Sequence, residues 1–315
     1  MNAELSSVTP KFPNVWKLYP VLIEILQNME APELLNLSLC SKRALKTVSP
    51  VCAKLGPELE VDFKFNDTKM VVFNHGLGVQ TSSTNASWQH SEEDSFLKTW
   101  VSSQSRIQHI IQLFNPTNLT AKLDLDIDPE TTERMFAWAK QQENRLNYLK
   151  YGGTSEEMVV RFLKTFSKCE VLSLTGNLGQ QFRVDFPLES TFLIVNQAHW
   201  VTIENIWNFK GEVFGIFQSS LRNEDLNVFL KDWQSGARNV IEGLYLMISF
   251  EDFDIPTIVS DIPHVSSPYI RRDDQQETIL YEVFNDDETM IASLYCQEMT
   301  FSKLIIRFSD SDDRL

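Results

Sequence analysis

The sequence predicts an α/β protein in which a small helical N-terminal segment precedes a solenoid of strand and helix units that an antiparallel hairpin closes. Short helical patterns punctuated by prolines fill residues 12–50. Further along the chain, pairs of apolar residues with strand spacing recur at intervals of roughly 20 to 30 residues. The last part of the chain alternates apolar and polar residues on both sides of a polar turn at residues 285–288, which is typical of a hairpin.

The N-terminal helices contain more apolar residues than they are able to cover. Pro20 and Pro32 lie where a helix begins, because a missing N–H is harmless in the first turn, and Ser41 is placed to cap a third helix. The apolar residues along these helices are Leu22, Ile25, Leu26, Met29, Leu34, Leu35, Leu37, Leu39, Ala44, Leu45 and Val48. Three short helices do not bury this set against one another. The apolar side chains that remain uncovered predict a partner protein. The alternative is that they pack onto the rest of the same chain.

A repeat follows the helical segment. Its core pairs are Leu123 and Leu125, Leu149 and Tyr151, Leu172 and Leu174, Leu193 and Val195, Phe214 and Ile216, and Leu244 and Leu246. Between several of these pairs, Ser155, Thr202 and Asn223 are placed as caps of amphipathic helices. Because each unit buries its apolar face only against its neighbours, we expect a leucine-rich-repeat-like solenoid with a parallel sheet.

The patterns divide the chain into three parts. We assign residues 10–50 to the helical segment, 51–115 to a β-hairpin and a connecting segment, and 116–315 to the repeat-like α/β domain. The first hairpin is predicted within 59–75. The closing strands are predicted at 278–284, 290–296 and 303–308.

Charge and composition argue against several classes of partner. The net charge is −15, which disfavours both phosphate backbones and anionic membrane surfaces, so neither nucleic acid nor membrane is expected as a partner. No apolar run approaches the roughly 18 residues of a membrane-spanning helix, and the first residues lack the pattern of a signal peptide. The expected location is the cytoplasm, the nucleus or both. The four cysteines are far apart, which predicts small, reduced and buried apolar side chains rather than a zinc site.

The sequence offers no pattern for catalysis. Glycines are scattered rather than bunched at a strand–helix junction, and the five histidines form no i, i+4 pair. We therefore expect no enzyme activity, no cofactor and no metal. A site assembled from distant loops is the alternative that sequence spacing leaves open.

Two blocks of sequence resemble known domains. Residues 12–43, above all ELLNLSLCSKR at 33–43, resemble an F-box of the large nematode-expanded class. Three later stretches look like the type 2 F-box-associated domain that accompanies it: WVTIEN at 200–205, SSLRNEDLNVFLKDW at 219–233 and IRRD at 270–273. The resemblance implies a non-catalytic subunit of an SCF-type E3 ubiquitin ligase. Its F-box would bind a Skp-family adaptor on the cullin scaffold, and its C-terminal domain would bind a target protein that the sequence does not identify.

The resemblance also implies which residues contact the adaptor. By matching position they are Phe12, Pro13, Leu18, Pro20, Ile25, Leu26, Glu33, Leu34, Leu37 and Ser38. The chain departs from the family where Leu-Pro is usual, because Lys17-Leu18 stands there and Pro20 follows two residues later. The alternative function is a repeat-type interaction scaffold that does not enter a ubiquitin ligase.

Strand alternation suggests a target-binding face. Residues that flank the core pairs point to the open side of the sheet, since side chains alternate along a strand. In the later repeats these residues are largely apolar, namely Phe192, Ile194, Phe217, Tyr245 and Met247. An exposed patch of this kind suits protein recognition. The alternative is that the C-terminal hairpin covers it.

Overall fold

The computed structural model describes residues 19–29, 31–54, 58–64, 67–73, 107–124, 129–179, 181–249, 253–270, 277–297 and 303–311. The chain divides into two compact units. The first comprises Met1–Leu59 and Met70–Thr117, and the second comprises Glu60–Lys69 and Asn118–Leu315. Within the described ranges, no helix is both long enough and apolar enough to cross a membrane.

The first unit contains four described helices. They are α1 (Tyr19–Gln27), α2 (Ala31–Leu39), α3 (Lys42–Lys54) and α4 (residues 107–114). Pro20 and Pro32 lie in the first turns of α1 and α2, as the sequence predicts. The Oγ of Ser41 accepts a hydrogen bond from the backbone N–H of Ala44 at 3.0 Å, which confirms the predicted cap of α3. The sequence did not predict α4, which lies within the segment interpreted as a connection.

The core of the first unit draws on all four helices. Leu26 of α1, Leu34 of α2, and Val48 and Cys52 of α3 are buried. The residues of α4 that join them in the buried set are Ile107, Ile110, Ile111, Leu113 and Phe114. α4 therefore adds five buried apolar side chains to the first unit.

The described strands form one sheet. They are β1 (Glu58–Lys64), β2 (Asp67–Phe73), β3 (Leu119–Asp124), β4 (Leu146–Tyr151), β5 (Val171–Leu174), β6 (Phe192–Val195), β7 (Val213–Phe217), β8 (Tyr245–Ser249), β9 (His264–Ile270), β10 (Glu277–Phe284), β11 (Met290–Gln297) and β12 (Lys303–Asp310). Their order is β2-β1-β3-β4-β5-β6-β7-β8-β12-β11-β10-β9. The predicted first hairpin is confirmed by the adjacent strands β1 and β2, although its predicted turn at residues 65–66 lies outside the described residues.

Strands β3 to β8 are parallel and follow one another in chain order, as the repeat predicts. Their register aligns Ala121, Leu149, Leu172, Leu193, Phe214 and Leu246. Two of the core pairs predicted from the sequence begin at a different position from the one that the register aligns. The first pair begins at Leu123 and the last at Leu244, each two residues from the aligned residue. The error does not change the face, because a shift of two residues returns a strand side chain to the same side.

The helices between the parallel strands are unequal. They are α5 (Pro129–Gln141), α6 (Glu156–Thr165), α7 (Ile203–Trp207) and α8 (Asn223–Gln234), with α9 (Ile255–Ile258) after β8. Ser155 caps α6 by accepting from the N–H of Met158, as predicted. Between β5 and β6, residues 175–179 and 181–191 contain no helix. The region is therefore a mixed α/β domain, and its description as a leucine-rich-repeat-like solenoid stays a prediction.

The C-terminal strands continue the sheet in its own plane. β12 pairs antiparallel with β8, and β11, β10 and β9 follow as antiparallel neighbours. The three strands predicted at the C-terminus are confirmed as β10, β11 and β12. β9 was not predicted, because its residues HVSSPYI are too polar for a strand pattern.

Helices cover one face of this sheet. Phe162 of α6 contacts Tyr151 of β4 with ring centroids 5.2 Å apart, and Trp233 of α8 contacts Phe308 of β12 at 5.1 Å. Tyr151 and Phe308 therefore mark the helix face. The register then places the alternate strand residues on the opposite side, which we call the open face.

Candidate functional site

One candidate surface lies on the helices of the first unit. Val21 and Ile25 of α1 are 52% and 55% exposed, and Leu39 of α2 is 53% exposed. Val21 and Ile25 are one helical turn apart and share a side of α1, whereas Leu26 points inward and is buried. Tyr19 and Leu22 are also exposed. The helical unit thus keeps apolar side chains in water after its own core has formed.

The ten residues matched to the adaptor surface fall into four groups. Phe12, Pro13 and Leu18 lie outside the described residues. Pro20, Ile25 and Glu33 are exposed, and Leu37 is half-buried. Leu26, Leu34 and Ser38 are buried in the core of the unit. These last three side chains hold the helices together, so we leave them out of the surface. The exposed residues Tyr19, Val21, Leu22 and Leu39 were not among the ten, although Leu22 and Leu39 belong to the apolar set of the N-terminal helices.

Ser38 has a structural partner that sequence spacing did not reveal. Its Oγ donates to the carbonyl of Leu35 at 2.7 Å and lies 2.8 Å from Nε2 of His109 in α4. Because Ser38 donates its single hydroxyl proton to the carbonyl of Leu35, its Oγ accepts from an N–H at Nε2 of His109. This hydrogen bond joins α2 to α4.

We expect the burial of His109 to make the first unit sensitive to acid. Burial lowers the pKa of His109 below its usual 6.5. A histidine with a lowered pKa in the folded state stabilises the fold above the unfolded pKa, and this contribution is lost as the pH falls through the folded pKa. The free energy of unfolding should therefore decrease as the pH is lowered below about 6.5. Urea titrations at a series of pH values measure it.

The matched variant is His109→Gln, because a glutamine amide is also able to donate to Ser38 but does not titrate. Its free energy of unfolding should depend less on pH than that of the wild type. Identical pH profiles for the two proteins would show that His109 has no such role.

A second candidate surface lies on the open face of the second unit. Phe192, Ile194, Phe217, Tyr245 and Met247 are all half-buried there. The register aligns Phe192 with Val213 and Tyr245, and Ile194 with Gly215 and Met247, so the five residues are gathered on β6, β7 and β8. The sequence prediction that they share one face is consistent with this placement, and their role in binding stays a prediction.

The alternative, that the C-terminal hairpin covers these residues, is wrong. β12 pairs edge to edge with β8, so the hairpin extends the sheet and does not lie over the open face. Its residues border the patch instead. Nζ of Lys303 lies 5.0 Å from the ring centroid of Phe217, and the hydroxyls of Tyr245 and Tyr295 are 3.4 Å apart.

A glycine shapes the centre of this patch. Gly215 points no side chain at the open face, and a Cβ placed there would lie 3.1 Å from Cε2 of Phe217 and 3.4 Å from Cε of Met247. Phe217 and Met247 therefore rest close to the strand backbone. The apolar surface is therefore lower at Gly215, which lies between Ile194 and Met247 in the register.

The described residues were compared with the requirements of a metal site and of a reactive thiol. Among them, no group of three His, Cys, Asp or Glu side chains is placed to hold a metal ion. Burial raises the pKa of the Cys52 thiol to about 12 and that of Cys169 to about 11, so both stay protonated and unreactive. The expectation of small buried cysteines fits these two residues, whereas Cys40 is exposed and Cys296 is half-buried.

The motif residues of the second unit have structural roles. In WVTIEN, Trp200 is fully buried and the side chain of Asn205 accepts from the N–H of Thr202 at 2.9 Å. Asn205 also donates from Nδ2 to the carbonyl of Val184 at 2.8 Å. In the α8 motif, Leu226, Phe229, Leu230 and Trp233 are buried. The one described residue of IRRD is Ile270, since 271–273 lie outside the described part. The described residues of these stretches therefore contribute to the fold of the unit.

Comparisons with protein families match both units. The model of the F-box domain matches residues 12–52, and a model described as F-box associated, of type 2, matches residues 181–246. Neither the curated proteins nor the solved structures contain a match to the chain. The helical N-terminal unit therefore carries a segment that matches an F-box domain, the feature that defines F-box proteins. More particularly, the chain combines this segment with a second one that matches the type 2 F-box-associated domain.

Proposed function

We propose that this chain is a substrate-recognition subunit of an SCF-type E3 ubiquitin ligase. The observation that carries the proposal is the set of exposed apolar residues Val21, Ile25 and Leu39 within the matched F-box. Exposed aliphatic side chains on a small helical unit favour burial against a partner helix or groove. The partner is a Skp-family adaptor, which links the chain to the cullin scaffold.

The division of roles follows the two units. The F-box helices bind the adaptor through Val21, Ile25, Leu39 and their exposed neighbours Tyr19 and Leu22. The second unit binds a target protein on the open face of β6, β7 and β8, in a parallel sheet that we interpret as leucine-rich-repeat-like. The chain itself is a non-catalytic adaptor subunit that acts in the cytoplasm, the nucleus or both.

Alkylation of Cys40 tests where the adaptor binds. Cys40 follows Leu39 directly and is exposed, so iodoacetamide should modify it readily in the free chain. A purified Skp-family adaptor at saturating concentration should slow this modification by about tenfold or more, because a buried interface excludes reagent. Peptide mass spectrometry measures the rate at each cysteine.

Cys296 is the internal control, since it is half-buried in the second unit and its rate should not change with adaptor. Cys52 and Cys169 should remain unmodified until the chain is unfolded. Unchanged Cys40 reactivity at an adaptor concentration that saturates binding would place the contact elsewhere. An adaptor that does not bind at all would favour the alternative, an interaction scaffold outside the ligase.

A further inference from the structure

The open face of the second unit differs in charge from the chain as a whole. The chain has a net charge of −15. Among the strand residues whose side chains are described, the register places four basic residues and one acidic residue on the open face of β3 to β12. The basic residues are Lys122, Lys150, Lys303 and Arg307, and the acidic residue is Glu282. Among the strand side chains that the structure describes, basic residues therefore outnumber acidic ones on this face.

Two of these basic residues flank the apolar patch. Lys150 on β4 precedes it in the sheet order, and Arg307 on β12 pairs with Tyr245 at its other border. Both side chains are half-buried, and neither forms an ion pair with any residue that the structure describes. A half-buried cation without a counter-ion attracts an anion more strongly than a fully solvated one, because the local dielectric is lower.

The distance between the two cations sets the length of a ligand. Five strand spacings separate β4 from β12 in the sheet order. At about 4.8 Å per strand they amount to roughly 24 Å. An extended peptide covers that distance with about seven residues. Its central side chains would lie over β6, β7 and β8, where the half-buried apolar residues are.

We propose that the open face binds an acidic segment of the target protein, with aliphatic or aromatic side chains between two groups of carboxylates. Lys150 and Arg307 pair with the carboxylates, and the surface around Gly215 receives the apolar side chains. Lys303 already lies on the ring of Phe217 and contributes positive charge at the same border. This proposal rests on the proposed function only in taking the second unit as the part that binds the target.

Fluorescence anisotropy with the full chain and synthetic peptides tests the proposal. The probe is a labelled peptide of about nine residues with the sequence Asp-Asp-Gly-Leu-Phe-Leu-Gly-Asp-Asp, long enough to reach both cations. We expect binding with a dissociation constant on the order of 10–100 µM at low salt. Binding should weaken as NaCl is raised from about 50 to about 300 mM, since screening acts on the ion pairs. The same peptide with lysine in place of aspartate should not bind.

Charge reversal identifies the site. Lys150→Glu/Arg307→Glu should weaken binding of the aspartate peptide by about tenfold or more. The matched control is Lys210→Glu/Lys231→Glu, which changes the net charge equally away from the open face and should leave binding unchanged. Lys150→Gln/Arg307→Gln serves as a milder pair if charge reversal impairs folding, which thermal melting of each variant reports.

Three results would overturn the proposal: equal binding by the two double variants, equal binding of the lysine peptide, or no binding of the aspartate peptide at about 1 mM. Tighter binding of a labelled oligo-dT than of the peptide would also overturn it, in favour of a nucleic acid. Adaptor binding is measured separately on the same variants. Peptide binding without adaptor binding would refute the ligase role and leave this inference standing.

Discussion

The double substitution Val21→Asp/Ile25→Asp should weaken binding to a Skp-family adaptor by about 100-fold or more, equivalent to about 2.7 kcal/mol. Burying an aliphatic side chain contributes about 1.5–3 kcal/mol relative to full exposure, and these two begin roughly half exposed. The substitution removes that contribution and also requires carboxylates to be desolvated or to keep water in the interface. Surface plasmon resonance with immobilised adaptor measures the dissociation constant.

The second unit offers a matched control for this substitution. Val228 of α8 is 56% exposed, so Val228→Asp introduces the same carboxylate at an equally exposed aliphatic position. It should leave adaptor affinity unchanged. Both variants should unfold at urea concentrations close to that of the wild type, because none of the three side chains is in a core. An adaptor affinity equal to that of the wild type for Val21→Asp/Ile25→Asp would refute the surface on α1.

Phe229→Ala should destabilise the second unit by about 3–5 kcal/mol, the range for removing a fully buried phenylalanine. Phe229 is 0% exposed, and its ring centroid lies 4.4 Å from that of Trp207 and 5.9 Å from that of Phe308. It therefore joins α7 and α8 to the C-terminal strand β12. Removing it leaves a cavity at the place where the parallel and antiparallel parts of the sheet are held together.

The neighbouring residue provides the comparison. Val228→Ala changes an exposed side chain on the same helix and should alter the free energy of unfolding by no more than about 0.5 kcal/mol. Urea denaturation followed by circular dichroism measures both variants. If Phe229→Ala lowers the free energy of unfolding by less than about 1 kcal/mol, Phe229 does not pack α8 against β12 as described.

The helix α8 and the parallel strands were predictable because their patterns are local. Leu226, Phe229, Leu230 and Trp233 follow a helical period, and all four are buried. Likewise, the aligned positions Leu149, Leu172 and Leu193 come from strand alternation with a repeat. In both cases a single buried face per element fixes which residues point inward, so the sequence carries enough information.

The candidate surface was less predictable because burial in α1 depends on distant residues. Ile25 and Leu26 are adjacent and similarly apolar, yet one is exposed and the other is buried. Which of the two points inward is decided by packing against other helices of the unit. The contact between Ser38 and His109 joins residues far apart in the chain, and no spacing rule relates them. The buried face of α4 had no capping signal that singled it out from the preceding polar segment.

The plane of the C-terminal strands was another property that local pattern does not determine. Alternation in 303–308 predicts a strand but does not say whether that strand pairs with β8 or packs across the sheet. The register of Leu304 with Ile248 and of Arg307 with Tyr245 settles this, and it leaves the open face uncovered by the hairpin. The polar residues of β9 gave no strand signal, because an edge strand needs few apolar side chains.

Isothermal titration calorimetry of the purified chain with a purified Skp-family adaptor, repeated at several temperatures, measures whether the exposed residues of α1 and α2 bind the adaptor. We expect a one-to-one complex with a dissociation constant of about 1 µM or tighter. We also expect a negative heat-capacity change on binding, which reports burial of these apolar residues. Absence of binding at about 100 µM adaptor, or binding with no heat-capacity change, would refute the proposed role of the F-box helices.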